Sequence, residues 1–141
     1  MKRWILLISL LFVALPGLAS EGEENKEGTE AGAAVPRVVY VSLSPALVGN
    51  YGSGPAIQYY KADIALQVTG EDNAARVSYH EPLIRNQLIM LFARQTDQSL
   101  ATPEARETLR QAALKQVQEA LDQEEGKPLV DDLLFNNLVV Q

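Results

Sequence analysis

His80 is the only histidine in a chain of 141 residues that has no cysteine. It lies just ahead of an expected helix start, with no acidic partner spaced for a proton relay, so it reads as a surface or capping residue rather than a general base. No G-x-S-x-G elbow presents a serine nucleophile. The run Gly52-Ser53-Gly54 lacks both the G-K-[ST] ending and the following helix of a phosphate loop. Asp131 and Asp132, close in sequence to Glu124 and Glu125, could pair as carboxylates or hold a cation; they read better as a solvated acidic edge before the final strand. The five glutamates of residues 20–35 lack the rigid Asp/Asn/Gly loop of a calcium cage. Without cysteine there is no disulfide, no thiolate metal site and no thiol nucleophile. The expectation is a noncatalytic protein with no cofactor and no metal.

Composition narrows the partners. Net charge is −6 and the apolar fraction is 47%, which suits one folded domain and disfavours nucleic acid, since no Lys/Arg stripe exists to displace counterions from phosphates. The start "MKRWILLISLLFVALPGLAS" has Lys2 and Arg3, an apolar run from Trp4 to Leu15, then Pro16, Gly17 and the small residues Ala19 and Ser20. That is the layout of a secretory signal peptide over residues 1–19. The competing reading is an uncleaved membrane anchor, for which the run is short, because a span needs about 20 apolar residues. Residues 20–36, rich in Glu and Gly, form an acidic linker with too little apolar area to offset the entropy of ordering. A folded domain is expected over 37–141.

Within that domain the periodicities are separate and clear. Val39, Val41 and Leu43 alternate with Val38, Tyr40 and Ser42, a strand pattern that ends at Pro45. After the turn-forming stretch Gly49–Pro55, Tyr60, Ala62, Ile64, Leu66 and Val68 alternate with Tyr59, Lys61, Asp63, Ala65 and Gln67, predicting a second half-buried strand. Gly70, Asp72 and Asn73 stop it. Glu81-Pro82 fits a helix start, with Ile84, Leu88, Leu91 and Phe92 as a core stripe. Ile89 and Met90 add apolar surface outside that stripe, so a neighbouring helix or another subunit must cover it; they are the candidate self-association residues. Thr102-Pro103 caps a second helix whose buried stripe is Leu109, Ala113, Val117, Ala120 and Leu121, stopped by Gly126 and Pro128. A terminal strand follows, with Leu134 and Leu138 expected on one face and Phe135 and Val139 on the other. The expected fold class is α+β, order β-β-α-α-β, with two helices on a small sheet.

These segments, in this order, resemble a known family. "YVSLSP" (Tyr40–Pro45), "YYKADIALQV" (Tyr59–Val68), "IRNQLIMLFARQTDQSLATPEARETLRQAAL" (Ile84–Leu114) and the ending "VDDLLFNNLVVQ" (Val130–Gln141) are similar to the periplasmic domain of the flagellar basal body-associated FliL family. The resemblance implies a stomatin-like (SPFH) fold and a noncatalytic role beside the flagellar stator, the MotA/MotB torque unit, supporting rotation and motility as a ring-forming homo-oligomer. It implies a periplasmic location at the basal body, or an inner-membrane protein with one N-terminal anchor. The leader-like start departs from the family's full transmembrane helix and leaves a second reading open, a soluble periplasmic scaffold or binding module with no flagellar role.

Overall fold

The computed structural model describes residues 35–141. The expected leader, and the expected linker up to Ala34, lie outside the described residues. The fold is α+β, and its axis is one long strand, β3 (Gln58–Thr69). Antiparallel on one side of it run β1 (Val38–Ser42) and β2 (Leu47–Tyr51), end to end, and on the other side β4 (Val130–Val140). Four helices separate β3 from β4: α1 (Glu71–Tyr79), α2 (Glu81–Ala93), α3 (Asp97–Ala101) and α4 (Pro103–Glu125).

The expected order β-β-α-α-β is therefore corrected to β-β-β-α-α-α-α-β. The extra strand lies where Gly49 and Asn50 had signalled a turn. Gly49 sits opposite Tyr60 in the ladder, and a Cβ there would lie 2.7 Å from the Tyr60 hydroxyl. Glycine at 49 makes room for an aromatic ring; it does not reverse the chain. The first extra helix begins directly after the strand stop: Gly70 has φ 91°, and Ala74 and Val77, three residues apart, are buried against the core. The other extra helix, α3, has five residues and is fixed by a capping box between Thr96 and Ser99.

The two long helices match their expected signals. Pro82 occupies the first turn of α2. Thr102 accepts a hydrogen bond from the Ala105 amide at 3.1 Å, Pro103 opens α4, and Gly126 closes it in the left-handed conformation at φ 71°. Leu109, Ala113, Val117, Ala120 and Leu121 are buried as expected.

Face assignment along the strands depends on whether the insertions are odd or even. Between β1 and β2, residues 43–46 stand against residues 63 and 64 only, an excess of two. Because side chains alternate with period two, an even excess preserves the faces, and Val39, Val41, Leu43, Leu47 and Tyr51 all join the core. β4 instead carries two single-residue bulges, at Asp131 and Asn136, each of which flips the alternation. Val130, Leu133, Phe135, Leu138 and Val140 thereby all reach the core face, opposite Val68, Leu66, Ile64, Ala62 and Tyr60. The expected separation of Leu138 from Phe135 is corrected by the bulge at Asn136, and Leu134 stands opposite Ala65 on the other face. The chain end is tied in: the Tyr59 and Gln141 backbones exchange hydrogen bonds at 2.8 and 2.9 Å.

Candidate interaction surface

The polar side chains with chemical potential are fastened to one another. His80, at the α1–α2 junction, meets Glu125 of α4 at 2.8 Å, and Arg76 of α1 holds the other oxygen of that carboxylate, also at 2.8 Å. The His80 hydrogen bond, and then that of Arg76, keep Glu125 below the ordinary carboxylate range. Arg110 of α4 donates to both oxygens of Glu107, to the Asp132 carboxylate and to the Leu133 carbonyl, joining helix to terminal strand. Hydrogen bonds from Arg110 and then Gln111 lower the Glu107 pKa to about 2. Asp131, at its bulge, accepts from the Thr69 hydroxyl at 2.7 Å. Asp131 and Asp132 thus take partners on different elements, and neither joins Glu124 or Glu125 in a shared site.

Among the described residues no group of three or more His, Asp or Glu side chains could hold a metal ion. Gly52, Ser53 and Gly54 line an open hollow of about 500 Å³ together with Thr96, Asp97 and Gln98. None of the described residues lining it is basic, so they offer a phosphate no counter-charge.

What remains is apolar surface. α2 buries Ile84, Leu88 and Phe92, and Phe92 stacks on Tyr60 with ring centroids 4.6 Å apart. Leu91 is partly covered by the core, while Gln87 and Gln116 join α2 to α4 at 2.8 Å. Ile89 and Met90 are left on the outer side, 41% and 51% exposed. The adjoining α4 does not cover them.

The sheet carries a second such surface, away from the helices. Among the described residues, five of the ten exposed large hydrophobics lie on it: Val38, Tyr40, Val48, Tyr59 and Val139. The alternation in β1 and β3 already assigned Val38, Tyr40 and Tyr59 to this side. Val48 adjoins the turn-forming stretch Gly49–Pro55 and belongs to no strand pattern, and the neighbourhood of Val139 depends on bulges that residue types alone do not reveal.

Comparison with known proteins fits this architecture. Residues 40–141 match the family described as flagellar basal body-associated protein FliL, which takes in the sheet and all four helices. The chain is 29% identical over 103 residues to a flagellar protein FliL of Aquifex aeolicus, covering 73% of this chain and 62% of that relative. It is 26% identical over 147 aligned positions to flagellar protein FliL of Escherichia coli K12, covering 99% of this chain and 94% of that protein. The match spans more than two thirds of the sequence and nearly the whole folded domain, and the chain belongs to the flagellar basal body-associated FliL family.

Proposed function

We propose that this chain is a noncatalytic accessory protein of the flagellar basal body that acts beside the MotA/MotB stator and supports rotation and motility. Its folded domain works in the periplasm, in a stomatin-like (SPFH) arrangement of several copies. The observation that carries this reading is the family match over residues 40–141, which includes every described strand and helix but the first two residues of β1. The polar clusters support it too, because each is spent on fastening one element to another.

Deleting the gene and measuring spreading in soft agar tests the proposal. Reduced swimming with filaments still present is the expected result; unchanged swimming at high viscous load would refute it. Ile89 and Met90 are the proposed self-association face on α2. A charge at either position should abolish higher-order assembly while the isolated copy stays folded, and unchanged assembly rules that face out.

A second reading is favoured by the leader-like start, whose apolar run stops at Pro16 and Gly17. In it the protein is exported and released as a soluble periplasmic scaffold. The motility assay separates the two readings, and N-terminal sequencing of the exported protein decides between free and tethered: a new terminus near Ser20 means release, an intact Met1 means an anchor.

A further inference from the structure

The outer face of the sheet bears a charge pattern that is complementary to itself. Lys61 and Asp63 stand two residues apart on β3, on the same face, and about 7 Å apart along the strand. Among the described residues neither takes part in an ion pair; Asp63 accepts only a long hydrogen bond from Asn137, at 3.3 Å. Lys61 lies directly between Val48 on β2 and Val139 on β4, in a shallow groove of about 310 Å³ that Tyr59 also lines. On the other side of Asp63 stands the small Ala65, covered by its neighbours and only 4% exposed.

From this pattern we propose that a second copy of the chain docks on this face, sheet against sheet, about a twofold axis that crosses β3 near Ala62. Stacked sheets keep their strands roughly aligned, so a twofold axis lying in the interface has two choices. With the axis along the strands, Lys61 faces the partner's Lys61 and Asp63 faces the partner's Asp63, two like-charge contacts. With the axis across the strands, Lys61 faces the partner's Asp63 and the reverse contact repeats it. The same operation lays the large Tyr59 over the small partner residue at 65, because each is three positions from the axis. Cation meets anion twice.

The edges of the sheet favour the face as the contact. β4 is bulged at Asp131 and Asn136, and the opposite edge is broken at residues 43–46. Such features obstruct strand addition. This inference does not depend on the flagellar reading, and it uses a surface distinct from Ile89 and Met90.

Sedimentation of the full chain with charge-swapped variants tests it. Lys61→Asp alone and Asp63→Lys alone should each weaken pairing by at least about tenfold, since like charges then face each other. An equimolar mixture of the two variants should restore it, and so should the double variant carrying both changes in one chain. Thermal melts of each variant verify that the monomer remains folded. Association through the N-terminal segment or through α2 would be indifferent to these swaps. Single variants that pair as tightly as the wild type overturn the proposal, as does a wild-type chain that remains monomeric.

Discussion

The two sides of β3 solve the same problem in opposite ways. Its β1–β2 neighbour absorbs an excess of two residues at 43–46 and keeps Val39, Val41, Leu43, Leu47 and Tyr51 on the core side. Its β4 neighbour absorbs two excesses of one and switches the core-facing set twice. An even insertion kinks a strand without exchanging its faces; an odd one exchanges them. The consequence for β4 is that Leu133, Phe135 and Leu138 share the core side although no simple alternation joins them.

The largest effect should come from removing the switched strand. Deleting Phe135–Gln141 takes away Phe135, Leu138 and Val140, which pack on the core, and the backbone pair between Tyr59 and Gln141. Full burial of such a side chain is worth about 1.5–3 kcal/mol and these three are partly buried, so with the lost ladder hydrogen bonds the deletion removes several kcal/mol from a domain whose stability is about 5–15 kcal/mol. Calorimetry should show no cooperative melt. A sharp transition in the truncated chain would mean that the end of β4 contributes little to the core.

A single-residue version isolates the parity argument. Leu133 is fully buried opposite Leu66, and its neighbour Leu134 is only partly covered opposite Ala65. Leu133→Ala should cost about 2–5 kcal/mol, and Leu134→Ala no more than about 1 kcal/mol. Equal costs in denaturant melts would contradict the bulge at Asp131.

A smaller effect belongs to the β2 side. A methyl group at 49 would meet the Tyr60 hydroxyl and ring at 2.7–3.0 Å, and the ring cannot swing away because it stacks on Phe92. Gly49→Ala should cost about 1–3 kcal/mol. The Tyr60 hydroxyl has no partner among the described atoms, and burial raises its pKa. Tyr60→Phe removes that unsatisfied group and should be neutral or stabilising by up to about 1 kcal/mol. The pair should be non-additive, with the phenylalanine relieving part of the alanine's cost.

These positions also mark where the sequence was legible. Period-two and period-3.6 patterns located β3, α2 and α4 and their buried stripes, because each is long and its core-facing side is nearly uniform, and located the five-residue β1 because its β-branched and aromatic residues alternate without interruption. α1 and α3 escaped because nine and five residues give a helical period too little length. β2 escaped because a glycine inside a strand has the same local signature as a turn. The bulges escaped for a stronger reason: an extra residue is defined by the partner strand, so Asp131 and Asn136 carry no mark of their own. Ile89 and Met90 were legible as excess apolar surface. The outer sheet face was half legible, through Tyr40 and Tyr59, and its completion by Val48 and Val139 needed the register.

The smallest expected effect concerns acid, and it too distinguishes the two sides of β3. Arg110 joins α4 to β4 beside the Asp131 bulge through Asp132 and the Leu133 carbonyl, and Glu107 holds its guanidinium in place. The β1–β2 interruption has a looser brace: Arg85 reaches the Pro45 carbonyl at 2.7 Å, with Glu81 3.5 Å from the same guanidinium nitrogen against 2.7 Å between Arg110 and Glu107. Glu107 is lowered from 4.5 to about 2. A depressed carboxylate contributes its stability above the unfolded value and loses it as pH falls through the folded one, so the brace should weaken between about pH 4.5 and 2. The group is fully exposed, so solvent screening keeps the effect small. Amide exchange should detect it first at Leu133 and Leu134, with β1 and β2 unchanged over the same interval. In Glu107→Gln the pH dependence at Leu133 should become shallower, because one of the two carboxylates that hold Arg110 is gone. Equal acid sensitivity on both sides of β3 would remove Arg110 from its role in fixing the bulged strand.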